Sequence, residues 1–121
     1  MIMFELSQSF SFDAAHTLVR QVPQEEKLSS QRIHGHTFHA EVFIKSPKLC
    51  DGYVVDLFEM RSQIDKVKKM LDHQFLDNVE GLGGGTLENL CVFIFRHVCL
   101  PVSKVSVWRS SGDRCTYCVT Q

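Results

Sequence analysis

Two long segments in which apolar and polar residues alternate constrain this chain most strongly. Between Phe4 and His16 the even-numbered positions are mostly apolar, and the odd-numbered ones are serine, glutamate or aspartate except at Ala15. Between His34 and Ile44 the even-numbered positions after the histidines are again apolar. A period of two is typical of a half-buried β-strand, because successive side chains point to opposite faces. We therefore predict two strands, each with one face toward a core.

Three histidines lie at the ends of these segments and share the parity of the apolar residues: His16 closes the first, and His34 and His36 open the second. An H-x-H pair alone is more often two ordinary histidines, but an unpartnered ring on an apolar face costs about 1–3 kcal/mol, which a shared cation removes. Three imidazoles with an open fourth position are a catalytic zinc ligand set. We predict that these three bind zinc, whereas His39, of opposite parity, and His97, on a predicted helix, do not.

Length and charge restrict the class of protein. The chain has 121 residues and a net charge of −1, which predicts a single domain, residues 1–121, without the basic block of a nucleic-acid-binding protein. No apolar run approaches the roughly 18 residues of a membrane span, and the N-terminal residues do not have the order of a signal peptide. We expect a cytoplasmic protein with no nucleic-acid partner and no membrane partner.

The cysteines indicate reduced thiols. Their number, five, is odd, and no secretory signal is recognised, so a disulfide framework is not expected. Cys115 and Cys118 form a C-x-x-C motif, but no second such motif completes a four-sulfur zinc site. We interpret both as ordinary packing residues.

The remaining elements follow from capping residues and periodicity. Residues 17–33 form a long polar connection that must pass near the predicted metal, because it joins two of its ligands. Asp56 and Thr86 are helix-capping residues ahead of apolar positions at helical spacing. The predicted elements after the second strand are a helix near 57–71, a helix that begins after Thr86 and ends before Pro101, and strands at 105–108 and 115–119. This order favours an α+β fold, an antiparallel four-stranded sheet with two helices on one face.

Five short motifs in a fixed order add a resemblance. They are Phe10-Ser-Phe-Asp-Ala-Ala-His16, His34-Gly-His36, Val55-Asp56, Leu71-Asp-His73 and Thr86-Leu-Glu-Asn89. With them the chain resembles the 6-pyruvoyltetrahydropterin synthase family over nearly its whole length, and within it the bacterial 6-carboxytetrahydropterin synthases of the queuosine pathway. The resemblance implies the tunnelling fold, ββααββ, assembled through its sheet into a ring as a homotrimer and then a homohexamer. It also implies zinc on the three histidines and a pocket between subunits for dihydroneopterin triphosphate.

The resemblance also implies roles for other residues. In the family, zinc acts as a Lewis acid on the substrate's side-chain hydroxyls, a cysteine is the general base, and an Asp-His pair supports it or supplies the second proton. Asp72 and His73 match that pair, and Thr86, Leu87 and Glu88 match the segment that helps to bind the pterin ring. From the residues alone, the Asp-His pair is also consistent with an ordinary helix C-terminus, and Glu88 with a first-turn residue favoured by the helix dipole.

One departure from the family concerns the general base. The family cysteine precedes the H-x-H motif, and here its position falls on Ser30, because no cysteine occurs before Cys50. A serine hydroxyl is a far weaker acid than a thiol, whose free pKa is about 8.5, so Ser30 would need activation by the metal or by His73. Some family members use a glutamate from this loop, which makes Glu25 and Glu26 alternative candidates.

The second departure is Arg109. The family carries a glutamate after the third strand to bind the guanidine-like edge of the pterin, whereas this chain reads Val105-Ser-Val-Trp-Arg109. Arginine is always charged and only donates hydrogen bonds, so it suits a carboxylate, a phosphate or a ring acceptor. The alternatives are a shifted alignment, or an arginine that stacks on Trp108 or points to solvent.

Three functions are consistent with these observations. The one we favour is a zinc-dependent carbon–oxygen lyase acting on dihydroneopterin triphosphate or a close relative. The second is a divergent member that keeps fold and metal but acts on another small heterocycle, with Arg109 binding an acidic group. The third is a pterin-binding protein without activity. In each case the exposed edges of a four-stranded sheet predict closure by neighbouring subunits.

Overall fold

A computed structural model describes residues 2–18 and 31–119 of the chain. A short 3-10 helix, Leu76–Asn78, lies between the two α-helices. The other elements, in chain order, are β1 (Phe4–His16), β2 (His34–Ser46), α1 (Leu57–Leu71), β3 (Gln74–Phe75), α2 (Leu87–His97), β4 (Lys104–Arg109) and β5 (Arg114–Cys118). Neither α1 nor α2 is long and apolar enough to cross a membrane.

The strands form one sheet in the order β3-β1-β2-β4-β5. The pairings β1–β2, β2–β4 and β4–β5 are antiparallel, and the predicted α+β fold is confirmed. The sheet has one strand more than predicted, because the two-residue β3 pairs parallel to β1. The chain leaving α1 is held there by the His73 N–H, which donates to the Asp13 carbonyl at 2.7 Å. A strand of two residues is too short to show periodicity in the sequence.

The core lies between the two helices and the even-numbered face of β1 and β2, as the alternation predicted. The Asp56 carboxylate accepts the Phe58 N–H at 2.9 Å and the Thr86 hydroxyl accepts the Asn89 N–H at 3.1 Å, so both predicted caps start their helices. The fully buried core residues are Phe38, Ala40, Val42, Met60, Val67, Leu71, Leu76, Leu90, Cys91, Ile94, Val105 and Val107.

The two cysteines of the C-x-x-C motif lie on opposite faces of β5. Cys115 pairs with Val107 and Cys118 with Lys104, so the two thiols are not arranged to bind one ion together. Cys115 packs against the core. All five cysteines are free thiols, and burial raises the pKa of the Cys91 thiol to about 12. Cys115 therefore agrees with the interpretation as a packing residue, whereas Cys118 is exposed and does not pack against the core.

The register of β1 and β2 brings the histidines together. The two strands pair over their full length, from Phe4 opposite Ser46 to His16 opposite His34. His36 lies opposite Ala14, whose small side chain leaves room for the ring. One end of the sheet therefore carries three imidazoles on the face that is covered by the helices.

Candidate active site

The three predicted zinc ligands converge. Ring centroids are 4.5 Å apart for His16 and His34, 5.0 Å for His16 and His36, and 5.1 Å for His34 and His36. One ring nitrogen from each histidine lies within 4.8 Å of the other two. This spacing suits three ligands around one ion.

Backbone carbonyls orient two of the rings. His16 Nδ1 lies 2.8 Å from the Gly85 carbonyl oxygen, and His34 Nδ1 lies 2.8 Å from that of Arg32. An imidazole that donates from Nδ1 keeps its lone pair on Nε2, and histidines that bind metals are commonly fixed in this way. His16 Nε2 is buried and has no hydrogen-bond partner among the described residues. A buried acceptor without a partner is costly, so the site fits a metal ion on its own geometry.

Burial favours the neutral form of His16 and His36. It lowers the pKa of His16, and the charges on His34 and Arg109 lower it further, against the Gly85 hydrogen bond, which raises it. Burial and the Arg109 charge lower the pKa of His36 as well. Because a metal binds the unprotonated ring, both histidines remain available as ligands at neutral pH.

We expect the metal-free protein to lose stability as the pH falls below 6.5. The unfolded chain binds protons at the ordinary histidine value of 6.5, whereas the folded chain resists protonation of His16 and His36. The unfolded state then carries more protons, so the free energy of unfolding decreases with acidification until the lowered folded pKa values are reached. Urea unfolding with a chelator at pH 7.5, 6.5 and 5.5 measures this slope. His16→Gln should flatten the slope, and an unchanged slope would contradict the assignment.

A cavity of about 270 Å³ lies directly beside His16. The predicted substrate-binding residues Thr86, Leu87, Glu88 and Arg109 all line it, together with Leu18, Phe38 and Gly85. The first turn of α2 therefore forms one wall, and His16 is the member of the histidine cluster that lines the cavity. The cavity has both a carboxylate and a guanidinium in its lining, beside apolar surface.

Arg109 points into this site rather than onto Trp108. The pairing of β4 with β2 puts Arg109 opposite Phe38, on the covered face. Its Nη1 donates to His36 Nε2 at 3.3 Å and its Nη2 to Asp113 Oδ2 at 2.6 Å. The guanidinium that stacks on Trp108, at 4.1 Å, belongs to Arg114. The stacked and fully exposed alternatives for Arg109 are therefore not what the structure adopts.

The predicted catalytic pair lies elsewhere. His73 Nδ1 is 3.1 Å from Asp72 Oδ2, and the Asp13 N–H donates to Asp72 Oδ1 at 2.9 Å. That hydrogen bond, with the one from His73, lowers the pKa of Asp72. Asp13 is at an odd-numbered position of β1, and its carboxylate accepts a hydrogen bond from the Thr37 hydroxyl. The cluster of Asp13, Asp72 and His73 is therefore on the outer face of the sheet. The His73 side chain is 80% exposed.

The His73 backbone is unusual. Its φ angle is +58°, a conformation that few residues other than glycine adopt. Strained residues of this kind often occur at functional sites. The hydrogen bonds around Asp72 thus hold an exposed imidazole in one orientation on the outer face, where His73 lines a groove together with Asp13, Gly35, His36 and Thr37.

Some predicted residues cannot be placed. Ser30, Glu25 and Glu26, the candidates for the general base, lie outside the described residues.

The two histidines excluded as ligands are away from the site. His39 stacks on Trp108 on the outer face, with ring centroids 5.7 Å apart, and His97 Nδ1 donates a hydrogen bond to the Phe93 carbonyl.

Sequence reasoning missed two residues that support the site. Gly85 supplies the carbonyl for His16, and a side chain there would place its Cβ 3.0 Å from the His16 ring. Asp113 holds the Arg109 guanidinium and also accepts the Ser111 hydroxyl at 3.0 Å. For Gly85, the only signal in the sequence was a glycine directly before the capping Thr86. The contact of Gly85 with His16 joins residues far apart in the sequence, and that of Asp113 with Arg109 spans a turn.

We expect Gly85→Ala to weaken zinc binding by about 10–100-fold, the usual effect of disturbing a group that orients a metal ligand. The new methyl group forces the His16 ring away from its carbonyl partner. Zinc competition against a chromophoric chelator measures the change. Gly35→Ala is the matched control, because its methyl group meets only the Ala14 carbonyl oxygen at 3.5 Å. Equal affinity in the two variants would show that the Gly85 carbonyl does not orient a ligand.

The sequence is similar to those of known proteins. The family profile described as 6-pyruvoyl tetrahydropterin synthase matches residues 5–119. A 6-carboxy-5,6,7,8-tetrahydropterin synthase of Synechocystis sp. is 34% identical over 99 residues, which are 77% of this chain and 73% of the relative. A dihydroneopterin monophosphate aldolase of Pyrococcus furiosus is 32% identical over 107 residues, 84% of this chain and 85% of the relative.

Solved structures share the fold. The 6-pyruvoyl tetrahydropterin synthase of Caenorhabditis elegans superimposes with a TM-score of 0.83 at 23% identity, covering 99% of this chain and 98% of that one. The Plasmodium vivax enzyme, studied with a catalytic glutamate replaced by alanine, gives a TM-score of 0.73 at 18% identity, with coverages of 97% and 98%. The chain has the tunnelling fold and belongs to the 6-pyruvoyl tetrahydropterin synthase family of pterin synthases and aldolases.

Proposed function

We propose that this protein is a zinc-dependent carbon–oxygen lyase of the 6-pyruvoyl/6-carboxytetrahydropterin synthase type. Its substrate would be 7,8-dihydroneopterin triphosphate or a related pterin. The observation that carries the proposal is the convergence of His16, His34 and His36, with the buried and unpartnered Nε2 of His16 beside the cavity. The family supports the substrate class. The proposal includes a role in queuosine biosynthesis in the cytoplasm.

The cavity residues would bind and orient the substrate. When bound, zinc supplies Lewis-acid chemistry that lowers the pKa of the substrate's side-chain hydroxyls. The Glu88 carboxylate lines the cavity and would accept N–H donors of a pterin ring, and the Thr86 hydroxyl caps the first turn of α2. Leu87 and Phe38 provide apolar walls that exclude water from the ring.

The Asp72–His73 pair would move a proton at the site of a neighbouring subunit. In one chain the pair is on the outer face of the sheet and shares a groove with only one of the three histidines, His36, whereas the histidine cluster is on the covered face. A pocket completed by a second subunit resolves this separation. The Asp72 carboxylate accepts the Nδ1–H of His73, which leaves Nε2 to exchange a proton with the substrate.

The general base would come from the connection between β1 and β2. Ser30, at the position of the family cysteine, and the glutamates Glu25 and Glu26 are the candidates. The catalytic glutamate of the Plasmodium vivax enzyme supports a carboxylate in this role. We propose assembly of the sheet as a homotrimer and then a homohexamer, because β5 and the short β3 lie at the two edges of the sheet, and sheet edges left unpaired invite closure by another chain.

A second candidate function rests on Arg109. A guanidinium in the cavity suits a substrate with a carboxylate or phosphate, or a ring acceptor, beside the metal. This observation favours a divergent homologue that keeps fold and zinc but uses another small heterocycle. A catalytically inactive pterin-binding paralogue shares the same cavity and differs only in turnover.

One assay separates these functions. We expect zinc-loaded protein incubated with 7,8-dihydroneopterin triphosphate to release inorganic triphosphate and to form a reduced pterin, and the chelator-treated protein to do neither. Calorimetric binding of the pterin without release would indicate the inactive paralogue, and the absence of binding would indicate another heterocycle. Release of a phosphorylated aldehyde instead of triphosphate would indicate carbon–carbon cleavage, as the name of the Pyrococcus furiosus relative suggests.

A further inference from the structure

The contact between Arg109 and His36 bears directly on the metal site. Arg109 Nη1 lies 3.3 Å from His36 Nε2. A guanidinium has N–H donors and no acceptor. The contact therefore requires a lone pair, and no proton, on His36 Nε2, which puts the proton of the neutral ring on Nδ1.

Metal binding by His36 is incompatible with this contact whichever ring nitrogen is the ligand. If the metal takes Nε2, the lone pair that Arg109 uses is no longer available. If the metal takes Nδ1, the proton of the neutral ring must be on Nε2, where it faces an N–H of Arg109. In both cases the hydrogen bond between Arg109 and His36 is lost.

We propose that Arg109 caps His36 in the metal-free protein and is displaced when the metal binds, so that Arg109 limits the metal affinity of the site. This inference rests on the proposed function only in taking His16, His34 and His36 as metal ligands. The positive charge of the guanidinium acts in the same direction, because it repels a divalent cation at close range.

Asp113 binds the same guanidinium from the other side of the turn. Its Oδ2 atom accepts from Arg109 Nη2 at 2.6 Å, and the Arg109 N–H donates to the Asp113 carbonyl at 3.0 Å. The two residues flank the turn between β4 and β5. Arg109 makes this contact in the same conformation in which it meets His36. The Asp113 carboxylate thus partly neutralises the positive charge of Arg109, which favours metal binding.

The test is a zinc titration of the full chain against a chromophoric chelator. We expect Arg109→Met, which keeps the length and loses the charge, to bind zinc at least about 10-fold more tightly than the wild type, as expected for loss of a charge-assisted hydrogen bond. Asp113→Asn should bind zinc more weakly than the wild type. The double variant should match Arg109→Met alone, because Asp113 acts through Arg109.

Opposite signs for the two single variants distinguish this proposal from simple damage to the site, which weakens zinc binding in both. Unchanged or weaker binding by Arg109→Met would overturn it. If neither the wild type nor any variant binds zinc, the proposed function fails instead. The wild type offers a second measurement that needs no folded variant: addition of zinc should shift the guanidinium ¹⁵N–¹H signal of Arg109, and a signal that does not move would also overturn the proposal.

Discussion

Replacing His34 with alanine is expected to abolish stoichiometric zinc binding without unfolding the protein. His34 is only partly buried, at the first position of β2, so its loss leaves no cavity in the core. The Arg32 carbonyl that orients it lies in an exposed segment. Two histidines then remain, and two ligands hold zinc far less tightly than the three of a catalytic site.

Metal content per chain, measured after dialysis, gives the result. Circular dichroism and urea unfolding should show near wild-type folding of the metal-free variant. His39→Ala is the matched control, since His39 belongs to the same strand but faces outward onto Trp108, and it should retain one zinc per chain. Retention of stoichiometric zinc by His34→Ala would remove His34 from the ligand set.

The parity of the strands explains why so much of the site could be predicted. Alternation in β1 and β2 fixes which residues share a face, and residues 16, 34 and 36 have the parity of the buried ones. In the structure β1 and β2 pair antiparallel over their full length, which puts His16 opposite His34. Capping residues likewise located both helices, because they act locally.

The alternation of faces along β4 also predicts the side of the sheet on which Arg109 lies. Val105 and Val107 are buried, and Arg109 continues their face, whereas Trp108 is on the other one. The face on which the Arg109 side chain lies could therefore be predicted from the alternation in β4. Its contact with His36 could not be predicted, because that contact depends on the register of β4 against β2. Its contact with Asp113 depends on the geometry of the turn between β4 and β5.

Contacts between distant segments explain the rest. The Gly85 carbonyl reaches His16 across 69 positions of the sequence, and β3 exists because the residues after α1 hydrogen-bond to β1. Neither leaves a periodic signal. The faces on which the Asp72–His73 pair and the histidine cluster lie also depend on the three-dimensional sheet, because Asp72 and His73 follow α1 and are held against β1 by long-range hydrogen bonds.

This arrangement leads to the prediction with the largest effect on activity. If the pair serves the neighbouring subunit, His73→Ala should reduce turnover by about 10²–10⁴-fold, the usual contribution of a proton-transfer residue, with zinc content unchanged. His34→Ala should be inactive for lack of metal. The two variants fail for independent reasons, and each keeps the residue that the other has lost.

Co-expression of the two variants with different tags should therefore restore activity in mixed assemblies. A shared site is complete when its metal side comes from the His73→Ala chain and its proton donor from the His34→Ala chain. In a ring of three subunits that contains both variants, one of the three interfaces meets this condition, so purified mixed assemblies should recover about a quarter to a third of the wild-type rate. A site contained within one chain gives no recovery, because no chain in the mixture has both His34 and His73.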